Sequence, residues 1–441
     1  MSLSRAIFGN FGATLLSYVP TLLTGILTAR LLGPEGKGVY VLAFLVSYLV
    51  VNVFTLGVGS ANIYYIARGE RDARTALGTT LAIVLPLGAL GALTIWASLA
   101  TGLWVTPHAT FIAVAAWSIV PMMGEAVVRH TLLGMQRYAL VNWLIVADQV
   151  ILLAFLALGS LLWGGDLFRL CVLQVAACIS SFALALGFFL RSAGNPFAFD
   201  RGYAGQALHY GLRGHVGWLA QMLNYRLDML FVDRLAGARS LGLYSAAVSL
   251  AETLWILPSC VSLVATPRLA STLRDDASEV TATLCRLLVP LVVVATLSLA
   301  VIGGPLIGLL YGSAFLPSFR PLLLLLPGVA LLSIVKVLSS DLAARGRPGL
   351  VSAVSWISLG VTIGLDLALI GPYGASGAAA ASSVAYAAST VGTLFFFWRL
   401  TSLKPTALLV PRPPDIRVAR SALERLLRRP GTGDPRDGAV A

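Results

Sequence analysis

The chain has 441 residues, 58% of them hydrophobic and only 11% charged, with a formal net charge of +12. Its mean hydropathy of +0.86 leaves too little polar surface to coat a water-soluble domain, and this excludes both a soluble enzyme and a disordered chain. The composition implies an all-α integral membrane protein.

Apolar runs of about 20 residues, the length that crosses a hydrocarbon core of roughly 30 Å, recur twelve times. They cover 8–29, 39–66, 75–100, 109–130, 139–163, 167–190, 214–236, 242–267, 281–302, 321–343, 349–370 and 376–399. The first run is longer than the apolar part of a secretory signal and has no small-residue cleavage pattern behind it, so it is expected to remain as a helix. Cys171, Cys178, Cys260 and Cys285 lie in or beside apolar runs with no CxxC spacing, the pattern of buried free thiols.

Most of the 31 Lys and Arg residues fall on one side of this alternation, including Arg68, Arg71 and Arg74 and nine from Arg399 onward. The other side holds only Arg30, Lys37, Arg169, Arg234, Arg239 and Arg320. Because Lys and Arg resist translocation, both termini are expected in the cytoplasm. The positive balance favours anionic membrane lipids as partners, and no soluble module interleaves basic and aromatic residues as a nucleic-acid surface would.

Before the seventh run, "DRGYAGQALHYGLRGHVGW" reads as an amphipathic surface segment joining two halves. After Arg399, "KPTALLVPRPPD" breaks the pattern, and Ile416, Ala419, Leu423, Leu426 and Leu427 then share one helical face opposite arginines. That predicts a helix lying on the cytoplasmic leaflet, with docking of a partner enzyme as the alternative. The expected organisation is an N-lobe over 1–198, a C-lobe over 199–400 and a basic cytoplasmic tail over 401–441.

Compared with itself at a shift of 204, the chain repeats. "ARLLGPEGKGVY" (29–40) lies over "DRLAGARSLGLY" (233–244), agreeing at Arg30 and Arg234, Gly33 and Gly237, Gly38 and Gly242, and Tyr40 and Tyr244. A weaker match sets "LLGMQRYALV" over "AARGRPGLVS" at a shift near 210. An even number of runs separates the matching turns, so the two six-helix halves share one orientation, as in transporters that rock parallel repeats about a central site.

"ARLLGPEGKGVYVLAF", "GVGSANIYYIARG", "LNYRLDMLFVDRLAGARSLGLYSAA" and "DLALIGPYGASGAAAASSVAY", in that order, resemble the signature segments of bacterial polysaccharide transporters. These are the O-antigen flippase type within the multidrug/oligosaccharidyl-lipid/polysaccharide exporter superfamily. The resemblance spans about residues 5–400. It implies two six-helix lobes around a central cavity, and outward movement of an undecaprenyl-diphosphate-linked glycan across the bacterial inner membrane. Glycosyltransferases or polymerases of the same pathway are the implied protein partners. Asp366, where the family pattern often has Asn, and Gly371 beside Pro372 depart from it. Lipid II flippases of the superfamily usually carry two further helices that this chain lacks.

Such a cargo presents two phosphates, and arginine suits them because its planar fork pairs with oxygens and stays charged when water is scarce. Arg226 lies about 18 Å along its helix, near the bilayer midplane, where charge costs roughly 2.5 to 3.5 kcal/mol on insertion scales. The positions matching Arg226, Asp228 and Glu252 in the first half are Leu22, Thr24 and Tyr48, so the scaffold does not itself require charge there. Arg226, Lys336, Asn224 and Gln221 are the candidate substrate-binding residues. Asp228, Glu252 and Asp148 are candidates for ion coupling or charge balance, with Glu252 able to neutralise Arg226. A structural ion pair is the competing reading. Arg226 and Asp228 diverge on the helix and are not expected to pair, whereas Glu125 and Arg129, four apart, are read as a local pair. Arg30 and Arg234, at matching outer helix ends, are interfacial anchors or the two sides of an outer gate.

His108, His130, His209 and His215 form no HExxH arrangement, and no GxxxxGK[ST] phosphate loop occurs, so no metal, cofactor or ATP-driven step is expected and the chain reads as a non-enzyme. The rival readings are a cation-coupled drug antiporter of the same superfamily, a membrane-embedded transferase or polymerase, and a scaffold. Fixed Arg226 and Lys336 weigh against the first, and short outer loops against the second.

Overall fold

The structure is a computed structural model that describes residues 3–195, 198–259, 261, 274–404, 406–409 and 412. The interfacial helix expected over 416–429 and Cys260 lie outside these residues. Among the described residues the main α-helices follow in the order α1 Leu3–Phe54, α2 Val58–Ala67, α3 Ala73–Ala100, α4 Ala109–Ala115, α5 Ile119–Gly134, α6 Tyr138–Trp163 and α7 Leu167–Ala193, then α8 Arg201–Ala251, α9 Arg274–Tyr311, α10 Phe319–Ala344, α11 Pro348–Tyr373, α12 Ala375–Thr401 and α13 Thr406–Leu409. No strand occurs among the described residues, as expected of an all-α membrane protein in which every backbone group must be satisfied within its own segment.

Among the described residues ten helical stretches are long and apolar enough to cross a membrane. Two of them, Leu15–Phe54 and Arg201–Ser259, each hold two of the predicted runs, joined without a loop. In α1 the chain turns at Gly33 (φ 63°, ψ −178°), and in α8 at Gly237 (φ 82°, ψ 167°). Both conformations lie in the region that only glycine enters cheaply, which explains why the repeat keeps glycine at both places. The second repeat match is also conformational: the turns after α5 and α10 put Gln136 (φ 57°) and Gly346 (φ 74°) in the left-handed region.

The structure departs from the predicted runs in two places. The second run is interrupted at Leu56 and Gly57, both with positive φ, because Gly57 lies against the Gly211 carbonyl of α8, where a Cβ would stand 2.7 Å away. The expected surface segment before the seventh run forms the opening turns of α8, continuous with the run itself.

Side-chain caps start three helices: Asp72, Asp166 and Asp200 each accept backbone N–H groups of the first turn, which meets donors that the helix leaves orphaned. Crossings over Leu15–Phe54 and Arg201–Ser259 are mostly buried, whereas Tyr138–Trp163 and Ser278–Tyr311 are largely exposed. Leu291, Val294, Leu297 and Val301 on α9 point outward, the arrangement expected where hydrocarbon rather than water is the solvent. Helix α1 packs along α8, and α8 also packs on α11 and α12. The two doubled helices therefore form the inner wall of the molecule.

Candidate functional site

A cavity of about 700 Å³ opens between the two halves of the chain. One wall comes from α1, α5, α6 and α7 and includes Lys37, Glu125, Arg129, Asp148 and Gln174; the other comes from α8 and the turn after it and includes Arg226, Ser249 and Glu252. Such a mixture of charge inside an apolar bundle is the mark of a functional interior.

Arg226 and Glu252 are joined by two parallel hydrogen bonds: Nη1 donates to Oε1 at 2.7 Å and Nη2 to Oε2 at 3.1 Å. The kink at Gly237 folds the two halves of the helical hairpin together, so residues 26 apart in sequence meet face to face. Both side chains keep partial exposure, 29% and 23%, so the fork is presented to the cavity. A bidentate fork of this kind is also the geometry with which arginine binds phosphate.

On the opposite wall Arg129 Nη1 lies 3.4 Å from Glu125 Oε1, a looser contact. Asp148 accepts from Gln149 Nε2 at 3.0 Å, and Gln149 in turn accepts from Thr21 Oγ1 at 2.8 Å. Lys37 is 8% exposed; its Nζ donates to Thr28 Oγ1 at 2.7 Å and to the Gly25 carbonyl at 3.3 Å. Tyr40 donates its hydroxyl to Gln174 Oε1 beside it.

The remaining sequence-derived candidates sit elsewhere. Asn224 is buried away from the cavity, donating to Ser358 Oγ at 3.1 Å and accepting from Thr362 Oγ1 at 2.6 Å. Gln221 donates to the Tyr225 hydroxyl at 3.1 Å. Asp228, 1% exposed, accepts from Tyr244 at 2.5 Å, from Ser382 at 3.0 Å and from the Met229 N–H at 2.7 Å. This stripe of α8 faces α11 and α12. Lys336 lies over the rings of Trp255 and Tyr225, 4.7 and 5.9 Å from their centroids, a cation–π setting outside the cavity wall. The structure thus brings Arg226, Glu252 and Asp148 to one cavity, and leaves Lys336, Asn224, Gln221 and Asp228 off its walls.

Sequence reasoning did not single out Lys37 or Gln174 as cavity residues, and it read Glu125 and Arg129 only as a local pair. Helical spacing shows which residues pair but not which neighbour their face meets. It also passed over Asp366 as a site: this residue is fully buried, and among the described residues neither of its carboxylate oxygens has a hydrogen-bond partner. A second acid at the depth of Asp228 was the available signal.

At the Gly33 end the halves are in contact. Arg30 of α1 donates to the carbonyls of Leu310 (2.9 Å) and Leu309 (2.5 Å) on α9, while Arg234 of α8 donates to the Val105 carbonyl at 3.4 Å. Val105 and Leu309 stand 204 positions apart, as Arg30 and Arg234 do, so the two contacts are repeat-related and run in opposite directions. At the other end Tyr203 of α8 donates to Asn62 Oδ1 at 2.7 Å, and Arg71 pairs with Asp200 at 2.5 Å. Backbone N–H groups of Tyr203 and Gly202, with the Arg71 guanidinium, hold the Asp200 carboxyl below the usual carboxylate range.

Solved structures share this architecture. The lipid II flippase MurJ in an inward closed conformation matches with a TM-score of 0.72 at 14% identity, over 94% of this chain and 91% of that one. An inward-facing multidrug resistance MATE family transporter of the MOP superfamily matches at 0.70 and 13% identity, over 90% and 98%. A MOP superfamily transporter from Pyrococcus furiosus matches at 0.63 and 12% identity, over 90% and 95%. No curated protein matches the sequence. Residues 3–273 match the profile of the family described as polysaccharide biosynthesis protein. With more than half of its length in that match, the chain belongs to the polysaccharide biosynthesis protein family, as an all-helical, multi-pass membrane protein with the fold of the MurJ and MATE transporters.

Proposed function

We propose that the protein is a flippase of the bacterial inner membrane that exports an undecaprenyl-diphosphate-linked oligosaccharide for surface polysaccharide assembly. The observation that carries this reading is the Arg226–Glu252 fork, a phosphate-shaped donor set held by a carboxylate on the wall of a cavity between two halves. Family membership supports the pathway, and the MurJ-like fold supports the transport class.

In the proposed cycle the Gly33 end faces outward and both termini are cytoplasmic. A phosphate displaces Glu252 from Arg226, the contacts of Arg30 and Arg234 break, and rocking of the halves exposes the glycan outside while the isoprenoid stays in lipid. Asp228 and Asp366, two buried acids on α8 and α11, are the proposed seat of a coupling cation or proton, since a buried carboxylate is costly without a positive partner. Lys336, Asn224 and Gln221 act here by shaping α8 rather than by touching cargo. The cycle needs neither a cofactor nor a covalent step, so the protein works as a transporter and not an enzyme. Anionic lipids and pathway glycosyltransferases are the proposed partners of the basic tail.

The test is reconstitution in vesicles with a fluorescent undecaprenyl-diphosphate saccharide, following leaflet exchange. Wild type is expected to exchange it and Arg226→Ala to lose most of the rate. Proton-driven export of small organic cations with no exchange of the lipid would instead establish the antiporter reading.

A further inference from the structure

The cations on the cavity wall occupy three depths. Lys37 lies four residues from the Gly33 turn, about 6 Å at the helical rise, whereas Arg226 lies eleven residues from Gly237, about 16 Å. The turns at Gly33 and Gly237 sit at one level, because Gly38 packs against Ala238 and Gly242. Arg129 lies five residues before the far end of α5. The cavity therefore carries positive charge at successive depths from the Gly33 end to the opposite end, Lys37 and Arg129 on one wall and Arg226 on the other.

Two of these cations hold their own counter-ions: Arg226 has Glu252 and Arg129 has Glu125. Lys37 does not. Among the described residues no carboxylate forms an ion pair with it, although it is 8% exposed and lines the same cavity. Among the described residues it has two hydrogen-bond acceptors, Thr28 Oγ1 and the Gly25 carbonyl, and its Nζ lies 6.0 Å from the centre of the Tyr40 ring, so none of its partners carries a formal charge. Tyr40, one helical turn on, and Gln174 lie beside it on the wall and offer further hydrogen-bonding groups. A buried ammonium without a partner charge is costly, and the missing charge fits an anion that enters from the cavity.

We propose that Lys37 is the outer anion site of the cavity, receiving a phosphate group of the cargo after that group leaves Arg226. This rests on the flippase reading given above and adds to it a second station with a direction. Arg226 takes the anion by displacing a carboxylate, and the returning Glu252 pushes it off again. Lys37 has no competing carboxylate, so it is the place to which the released anion moves. The two arginine sites are self-neutralising when unloaded and the lysine site is not.

The test uses the full-length protein in nanodiscs, with undecaprenyl diphosphate and inorganic pyrophosphate as binding probes and fluorescent undecaprenyl-diphosphate saccharide for leaflet exchange. Lys37→Gln is expected to weaken undecaprenyl diphosphate binding by about 10-fold, the scale of one charge-assisted hydrogen bond, with Tm unchanged. Lys37→Arg is expected to restore it. If Lys37→Gln binds and exchanges like wild type while Arg226→Gln fails, the second station is wrong and the flippase reading stands. If Lys37→Gln and Lys37→Arg lose binding and Tm together, the lysine is a staple for the Gly33 turn and the proposal falls. Pyrophosphate binding that needs Lys37, without any binding of undecaprenyl diphosphate, would support the anion site and overturn the lipid-linked cargo.

Discussion

Gly38 and Gly242 meet backbone to backbone across the two halves of the chain: a Cβ on Gly38 would stand 1.8 Å from the Ala238 carbonyl oxygen, and one on Gly242 1.8 Å from that of Pro34. The contact is reciprocal under the internal repeat, so it lies on the pseudo-twofold axis relating the halves. No side chain fits there, and the Gly33 end is closed for that reason.

Gly38→Ala is therefore expected to push the halves apart at this end, at a cost of about 1–3 kcal/mol for overpacking. Maleimide labelling of Cys178, which lines the cavity, should rise several-fold, with buried Cys171 and Cys285 as internal controls. Gly25→Ala, where a Cβ meets nothing within 4 Å, should leave labelling unchanged. Equal labelling in all three proteins would sink the idea that this contact sets the closed state.

Arg30 and Arg234 should act unequally in spite of the repeat. Arg30 holds two carbonyls at 2.9 and 2.5 Å, Arg234 one at 3.4 Å. Arg30→Ala is expected to remove about 1 kcal/mol from the closed state and Arg234→Ala clearly less, read by the same Cys178 assay. Because the two sites share no partner, the double variant should show the sum.

Glu252→Gln keeps the shape of the Arg226 partner and removes its charge. It should bind lipid-linked phosphate more tightly and release it more slowly, so that exchange falls while affinity rises. Arg226→Ala should lose both. It also leaves Glu252 without its partner, for roughly 1–3 kcal/mol of stability. Affinity falling in both variants would show that Glu252 helps to bind rather than competes.

Asp200 supplies a pH prediction with a definite sign. Its carboxyl is held below the usual range by the Tyr203 and Gly202 N–H groups and Arg71, so its stabilising contribution is complete above the unfolded pKa of about 4. That contribution is lost as pH falls through the lower folded value. Hydrogen exchange in the first turns of α8 should stay flat between neutral pH and about pH 5 and rise only in stronger acid. Asp200→Asn should flatten that acid response. A rise centred near pH 6 would assign the effect to histidine.

Asp366, buried with two oxygens unpartnered among the described residues, should make the protein respond to small cations. Tm is expected to be higher in sodium than in choline buffer for wild type, and equal in the two for Asp366→Asn. If the wild type shows no difference at any pH, a proton is the remaining ion.

Much of the architecture was legible in the sequence because membrane solvent writes it into composition. Each crossing has to be a run of apolar residues, and the repeat fixed the two turns at Gly33 and Gly237, since only glycine accepts their backbone angles. What was hidden is the loopless joining of runs one and two and of seven and eight. A glycine turn within one helical hairpin leaves no polar break to read.

By itself, the sequence determined the helical class, the twelve runs, the repeat and the presence of charge at Arg226 and Glu252, all of which follow from hydrophobicity and local backbone preference. Only the tertiary structure decided which of those charges meet. Asp228 and Asn224 share a stripe of α8 that turns to α11 and α12, whereas Arg226, on another face of the same helix, turns to the cavity with Lys37 and Arg129 from the other half. Periodicity places residues around a helix; the neighbour against which each face packs depends on contacts made across the whole chain.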